Sequence, residues 1–228
     1  MSKILTFSYD DGVTQDVRLI ELFNRYGMKA TFNLNSSLLG LPGHLIREGR
    51  PIDHIKVNPE DVRSIYEGHE VAAHTKTHPL LPAMSDDCAI IREVEEDRLK
   101  LSELCGYEVV GFAYPCGGKN YDSRVAKIIR ENTGIRYART IESNGSLDTQ
   151  TNLYEFKPTV FHLDDLDRLF KMGEDFINLE TDEKKIFYIW GHSYEFDIHN
   201  TWDKFEEFLK MMANRPDIHY LTNKDALL

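Results

Sequence analysis

The chain has few cysteines and no long hydrophobic segment. Its three cysteines, Cys88, Cys105 and Cys116, are an odd number without zinc-finger spacing, which argues against a disulfide scaffold and favours a reducing compartment. No apolar run approaches the roughly 18 residues that a membrane-spanning helix needs. The apolar stretch after Met1-Ser2-Lys3 is too short for a signal peptide and lacks a cleavage site. We therefore expect a cytoplasmic protein that does not enter a membrane.

Positive charge is also scarce. The chain carries 27 lysines and arginines against 38 aspartates and glutamates, a formal net charge of -11, and its basic residues form no cluster. Because a surface of this sign repels polyanions, nucleic acid is not an expected partner. The overall charge instead favours a substrate that is neutral or locally cationic. No sequence pattern bears on the oligomeric state.

Short β-branched and aromatic runs alternate with longer segments of helical period. The pattern predicts strands over 3–9, 30–35, 70–74, 110–115, 135–140, 156–161, 185–191 and 218–222, and helices over 15–26, 59–67, 85–105, 123–131, 164–179 and 202–213. Residues 38–56, punctuated by Gly and Pro, predict a long irregular loop at the mouth of a barrel. The order of elements indicates an α/β fold in which residues 1–228 form one domain, a barrel of βα units.

Polar residues follow four of the predicted strands, at the end of the barrel where active sites are built. The four strand ends read Asp10-Asp11-Gly12, His74-Thr75-Lys76-Thr77-His78, Tyr114-Pro115-Cys116 and Trp190-Gly191-His192. An isolated Asp-Asp-Gly is often only a turn. Two imidazoles and a carboxylate together, however, are typical of a catalytic metal site with open coordination positions. We expect one divalent ion, foremost zinc, with cobalt, nickel, manganese or iron as alternatives.

These segments resemble the motifs of a known family. Thr6-Phe7-Ser8-Tyr9-Asp10-Asp11-Gly12, the segment from His74 to Pro79, Phe112-Ala113-Tyr114-Pro115-Cys116-Gly117 and Ile189-Trp190-Gly191-His192 are similar to motifs of the polysaccharide deacetylases, the NodB-homology group of carbohydrate esterase family 4. The resemblance implies a distorted (β/α)7 TIM-like barrel, the NodB-homology fold. It also implies Asp10 as catalytic base, Asp11, His74 and His78 as metal ligands, and His192 as general acid.

The sequence departs from the family pattern at two places. The third motif of the family has an arginine that braces the catalytic aspartate and a tyrosine whose amide serves the oxyanion, where this chain has Ala113 and Cys116. Arg139 is the candidate to replace the arginine, and the backbone N–H of Cys116 can still donate. The thiol of Cys116 is a nucleophile or ligand only in a less favoured interpretation.

The fourth motif of the family, whose aspartate orients the acid histidine, has no evident counterpart. His162, Asp148 and Glu195 are the candidates to replace it, and Glu195 alternatively contacts substrate or is a solvated loop charge. Aromatic rings near the expected rim, of which one or two could stack on a sugar, are Tyr9, Tyr114, Trp190, Tyr194 and Trp202.

Three functions follow as hypotheses. The first is a metal-dependent hydrolase that removes N- or O-linked acetyl groups from a sugar or oligosaccharide. The second is a hydrolase of non-peptide C–N bonds in a small molecule, such as a cyclic amide or ureide, on the same barrel. The third is a barrel that binds carbohydrate or metal without turnover. An open groove lined by aromatics would favour an oligosaccharide, and a closed pocket built partly from residues 38–56 would favour a small molecule.

Overall fold

The computed structural model describes residues 2–47, 49–163 and 165–228. The strands are β1 Lys3–Asp10, β2 Ala30–Leu34, β3 His44–Arg47, β4 Arg50–Asp53, β5 Glu70–Ala73, β6 Gly111–Ala113, β7 Tyr137–Arg139, β8 Val160–Phe161, β9 Lys185–Gly191 and β10 Ile218–Tyr220. The α-helices are α1 Asp16–Arg25, α2 Val62–Ile65, α3 Asp87–Cys105, α4 Ser123–Asn132, α5 Leu166–Asn178, α6 Glu195–His199, α7 Trp202–Met212 and α8 Asn223–Leu227.

Eight of the strands form one parallel sheet. Its order is β7-β6-β5-β2-β1-β9-β8, and β10 pairs with β1. The sheet curls into a partial barrel, and Phe156 pairs with β7 through Thr140 N to Phe156 O at 2.9 Å before the chain reaches β8. This arrangement confirms the α/β fold and agrees with the expected distorted (β/α)7 barrel.

The centre of the sheet is buried from solvent because helices and loops cover it. All eight residues of β1 are buried, as expected for a central strand of a parallel sheet that is packed on both faces. Gly106 ends α3 with a φ of 77°, a left-handed conformation that glycine adopts without steric cost. Local chemistry of this kind explains why the helix ends were readable in the sequence.

The eight predicted strands and six predicted helices are present, with ends that differ by a few residues. The predicted first residue of the fifth helix, Asp164, and Glu48 in the predicted loop lie outside the described residues. The short helices α6 and α8 were not predicted. No helix in the described part of the chain is both long and apolar enough to cross a membrane.

The prediction of an irregular loop over 38–56 was wrong in its middle. There β3 and β4 form an antiparallel hairpin with Arg47 paired to Arg50. Gly49, read in the sequence as a breaker, has a φ of 74° and serves the tight turn of this hairpin. Gly49 lies in the turn and Pro51 lies in a strand of a two-stranded sheet, and neither position prevents the two strands from pairing.

Helix α8 closes the end of the barrel opposite the carboxyl ends of the strands. The side chain of Asn223 donates to Thr6 Oγ1 at 2.8 Å and accepts from the hydroxyl of Tyr188 at 2.7 Å. The backbone N–H of Lys224 donates to Glu70 Oε2 at 2.9 Å. These contacts give hydrogen-bond partners to polar groups that would otherwise be buried without one at the amino end of the barrel.

Replacing Asn223 with alanine should lower the free energy of unfolding by about 2 kcal/mol, because buried hydroxyls lose their partners. Urea unfolding followed by circular dichroism would measure the loss. The neighbouring Lys224→Ala is the matched control, since that side chain is exposed and makes no hydrogen bond to the described residues, while its backbone N–H contact to Glu70 is kept. Equal stability of the two variants would contradict a closing role for Asn223.

Candidate active site

The carboxyl ends of the strands open into a cavity of about 580 Å³. The candidate catalytic, metal-binding and substrate residues that line it are Asp10, Asp11, His74, His78, Tyr114, Cys116, His192 and Glu195. Arg139, also a candidate, is fully buried behind Asp10. The structure therefore brings the residues from four separate motifs to one place.

Asp10 is a buried carboxylate held by two neighbours. One guanidinium nitrogen of Arg139 donates to both of its oxygens, and Asn33 Nδ2 donates to Oδ1 at 2.7 Å. Burial raises the pKa of Asp10, but the charge and hydrogen bond of Arg139, together with smaller contributions from His74 and His192, outweigh burial and hold the pKa below its ordinary value. Asp10 is thus ionised at neutral pH.

The cation beside Asp10 comes from β7. Arg139 closes that strand, and its guanidinium also stacks over the ring of Trp190 at 4.7 Å. Ala113, at the position where the family pattern has arginine, ends the neighbouring strand β6. Asn33 was missed in the sequence, since a lone asparagine at the end of β2 carries no motif.

Asp11, His74 and His78 lie close enough to hold one metal ion. One ligand atom from each falls within 4.8 Å of the others. His74 Nδ1 lies 2.8 Å from the carbonyl oxygen of Ala113. Because a carbonyl can only accept, Nδ1 carries the proton and Nε2 is left with a lone pair for a metal.

The electrostatics of the trio also fit a cation. Burial lowers the pKa of His74 to about 4 and also lowers the pKa of His78, so both imidazoles are neutral, the form that binds metal. Asp11 and His78 have φ values of 86° and 61°. Non-glycine residues adopt this region at some cost, and such residues cluster at functional sites.

Two residues beside Asp11 were not singled out in the sequence. His54 Nε2 lies 3.1 Å from Asp11 Oδ2, and Lys56 Nζ donates to the backbone oxygen of Asp11 at 2.6 Å and lies 3.6 Å from Oδ1. Burial raises the pKa of Asp11, but the His54 hydrogen bond and the Lys56 charge outweigh it and hold the pKa well below its ordinary value. Both residues follow β3 in the segment that had been read as irregular.

His192 and Glu195 form a second ion pair on the opposite side of the cavity. Glu195 Oε2 lies 3.1 Å from His192 Nδ1 and accepts the backbone N–H of His192 at 3.0 Å. Burial opposes protonation of His192, yet the carboxylate of Glu195 raises its pKa to about 9. His192 is therefore protonated at neutral pH.

Three residues were considered for orienting His192. Glu195 contacts His192, His162 contacts Glu195, and Asp148 contacts neither. His162 is fully buried and donates from Nε2 to Glu195 Oε2 at 2.8 Å, while the Tyr9 hydroxyl lies 3.3 Å from its Nδ1. Asp148 instead pairs with Lys185, the first residue of β9, far from the carboxyl ends of the strands. The orienting carboxylate is three residues after the histidine, in the unpredicted helix α6.

Cys116 and Tyr114 lie at the edge of the cavity. Cys116 Sγ lies 3.7 Å from His78 Nδ1 and 3.5 Å from the carbonyl oxygen of His78. Burial raises the pKa of this thiol, so it is not a thiolate at neutral pH. Tyr114 lines the cavity, but its hydroxyl donates to the carbonyl oxygen of Tyr154 at 2.8 Å. Among the other aromatics considered, Trp190 and Tyr194 also line the cavity.

The sequence profile of a family described as polysaccharide deacetylase matches residues 1–138. A search of curated protein sequences finds no significant match. Residues 1–138 contain the first three motifs and the whole candidate metal trio.

Solved structures share the fold at low sequence identity. The CE4 domain of a multidomain xylanase from the hindgut metagenome of Trinervitermes trinervoides has a TM-score of 0.60 at 15% identity, covering 99% of this chain and 90% of that one. A family 4 acetyl xylan esterase from Clostridium thermocellum, in complex with cobalt, has a TM-score of 0.57 at 14% identity and coverages of 98% and 90%.

A CE4 family pseudoenzyme from Bacillus anthracis is similar as well. It has a TM-score of 0.59 at 16% identity, and the match covers 100% of this chain and 66% of that one. At such identities the likeness establishes the fold alone. The chemistry must be argued from the residues in the cavity.

Replacing Glu195 with glutamine should lower the pKa of His192 from about 9 toward its ordinary 6.5. Because folding raises this pKa, the pair stabilises the fold fully below pH 6.5 and loses that contribution as the pH rises through 9. The variant should therefore lose most stability near pH 6 and least above pH 9. NMR titration of the His192 ring and unfolding at each pH measure both effects.

The exposed Glu180→Gln, which removes the same charge away from the cavity, is the matched control. An unchanged His192 pKa in the Glu195 variant would show that the contact does not determine its protonation.

Proposed function

Since the chain belongs to the polysaccharide deacetylase family, we propose that it is a metal-dependent hydrolase that removes N- or O-linked acetyl groups from a sugar or short oligosaccharide. The observation that carries the proposal is the meeting, in one cavity, of an ionised aspartate, a metal-ligand trio and a protonated histidine. A base, a cation site and an acid are the parts that acyl transfer to water requires.

The proposed ligands of the metal are Asp11, His74 and His78. Two imidazole nitrogens and one carboxylate oxygen suit zinc, and also cobalt, nickel, manganese or iron. A divalent cation bound there would lower the pKa of a water molecule and polarise the acyl carbonyl. Three protein ligands leave room for both.

Asp10 is the proposed base. Arg139 keeps it ionised and Asn33 fixes one of its oxygens, so the carboxylate is oriented to take a proton from the attacking water. The backbone N–H of Cys116 is the proposed donor to the developing oxyanion. Among the described residues it donates to no backbone carbonyl, so it is available for that role.

His192 is the proposed acid. Its pKa of about 9 keeps it protonated at neutral pH, and it can pass that proton to the leaving nitrogen or oxygen. The carboxylate of Glu195 lies 3.1 Å from Nδ1, so we assign Nε2 as the nitrogen that faces the substrate. His162 in turn fixes Glu195, so we assign Glu195 and His162 as positioning residues rather than substrate contacts.

A second candidate function has one observation in its favour. Eight of the cavity-lining residues come from the segment 38–56, and a pocket built partly from this segment is what we expect for hydrolysis of a small cyclic amide or ureide. The third candidate, a binding barrel without turnover, has a precedent in the similar pseudoenzyme. The presence of both Asp10 and His192 favours catalysis, because binding alone needs neither a base nor an acid.

The remaining assignments are part of the same proposal. One domain over residues 1–228 is supported by a sheet whose strands run from Lys3 to Tyr220. Three free cysteines support a reducing, cytoplasmic location. A net charge of -11 supports a partner other than nucleic acid.

Protein stripped of metal and refilled with zinc or cobalt should release acetate from acetylated chito-oligosaccharides or acetylated xylo-oligosaccharides. Asp10→Asn should lose about 100-fold or more in kcat, because the proton acceptor is gone. Coupled-enzyme detection of acetate measures the rate. Binding of one metal ion per chain without acetate release from any acetylated sugar would favour the small-molecule C–N hydrolase instead.

Arg139→Lys should lower kcat about 10-fold with little change in KM, because lysine keeps the charge but loses the planar guanidinium that bonds both oxygens of Asp10. The lower limb of the pH–rate profile should also move to higher pH as the pKa of Asp10 rises. Arg136→Lys, an exposed arginine one residue before β7, is the control. A changed KM with an unchanged kcat would place Arg139 in substrate binding.

A further inference from the structure

One side of the cavity is a wall formed by residues 38–56, here called the hairpin wall, which includes β3 and β4. Its apolar surface is made by Leu38, Leu41, Pro42 and Leu45. The rest of the cavity surface belongs to the carboxyl ends of the barrel strands and the segments that follow them. The hairpin wall therefore lines the same cavity as Trp190 and His192 while its strands stay outside the barrel sheet.

The hairpin wall is packed against the barrel. Thr14 N donates to Ile55 O at 2.8 Å, and Val57 N donates to Gly12 O at 3.0 Å. Leu45 and Ile52 pack against a buried cluster of Val13, Tyr194 and Ile198. These contacts tie the wall to the turn after β1 and to the segment that carries Glu195.

A fixed wall limits what can enter. A cavity of about 580 Å³ is in the range of small-molecule sites, roughly 300–1,000 Å³. An internal residue of a long polysaccharide needs an open groove that lets the chain continue on both sides. Because eight of the cavity-lining residues belong to the hairpin wall, we infer that the wall limits the passage of a long chain, and that a single sugar or a chain end fits better than a mid-chain residue.

The cavity also carries an unmatched positive charge. Asp10 is paired with Arg139, Asp11 with Lys56, and Glu195 with protonated His192. Arg47 on β3 also lines the cavity. Among the described residues its one hydrogen bond goes to the backbone oxygen of Ile46, and no carboxylate lies within 4.0 Å of it.

This local charge is opposite in sign to that of the whole chain. The net charge of -11 predicts a neutral or locally cationic substrate. In the cavity, however, each carboxylate is paired with a cation, and the guanidinium of Arg47 is the remaining positive charge. A guanidinium at the edge of a small-molecule site, with no carboxylate partner among the described residues, is suited to bind a carboxylate or a phosphate on the ligand.

We propose that the substrate is a small acetylated sugar of one or two rings that carries an anionic group, a carboxylate or a phosphate, bound by Arg47 on the hairpin wall. This rests on the proposed deacetylase function and narrows its substrate class. The barrel residues perform the hydrolysis, and the hairpin wall selects the substrate by size and charge.

The test compares kcat/KM for acetate release from four probes. The neutral probes are N-acetylglucosamine and the fully N-acetylated chitin pentamer (chitopentaose), and the anionic probes are N-acetylglucosamine 6-phosphate and N-acetylmuramic acid. One or both anionic monosaccharides should exceed neutral N-acetylglucosamine roughly 10- to 100-fold, as expected for a charge-assisted contact. The phosphate and carboxylate probes tell which anion is preferred. Chitopentaose should be no better than the neutral monosaccharide.

Arg47→Gln should lower kcat/KM for the anionic probes to about the value for N-acetylglucosamine, and so remove the preference for an anion. Arg50→Gln is the matched control, because Arg50 belongs to the same hairpin but does not line the cavity and donates to the carbonyl of Ile198. A best rate with chitopentaose, or an equal loss on neutral and anionic probes in the Arg47 variant, would overturn the proposal.

Binding separates this inference from the function on which it rests. Calorimetric titration of the Asp10→Asn variant with each probe should show tighter binding of an anionic monosaccharide, and Arg47→Gln added to it should abolish the difference. Absence of acetate release from every probe would refute the deacetylase function, whereas equal affinity for neutral and anionic probes would refute the role of Arg47.

Discussion

Two adjacent carboxylates buried at the end of β1 are the constraint on which the rest of the site depends. Asp10 and Asp11 are 2% and 7% exposed, and an uncompensated charge at such a place costs several kcal/mol. Each must therefore have its own positive partner. Arg139 supplies one for Asp10 and Lys56 supplies one for Asp11, whose carboxylate also lies 3.1 Å from His54 Nε2.

The need for compensation does not fix where in the sequence the compensating groups come from. The guanidinium that holds Asp10 closes β7, whereas the family pattern has it after the preceding strand of the sheet. The carboxylate that holds His192 is Glu195, only three residues further along the chain. Because neighbouring parallel strands end at the same rim, a long side chain on either strand reaches the same point. The electrostatic arrangement is thus kept while the motif changes.

The sequence predicted the barrel and the residues that meet in the cavity, and the physical reason is local. Strand and helix periods, together with glycine at positions such as Gly106, are written in short stretches of chain. Asn33, His54 and Lys56 were missed because their roles depend on contacts between segments far apart in sequence. Among His162, Asp148 and Glu195 the sequence could not choose, since only folding determines which of them faces His192.

The hairpin wall shows that the type of reaction and the choice of substrate can depend on different parts of the chain. In the proposed function the barrel rim determines what bond is hydrolysed, since the proposed base, metal ligands and acid all follow barrel strands. Residues 38–56 lie outside the barrel sheet and contribute leucines and the guanidinium of Arg47 to the cavity, and in our proposal they select what reaches those groups. A family motif therefore carries information on the reaction but little on the substrate. The wall, with no motif of its own, is where a member of the family can change its substrate without disturbing the charges that the buried aspartates require.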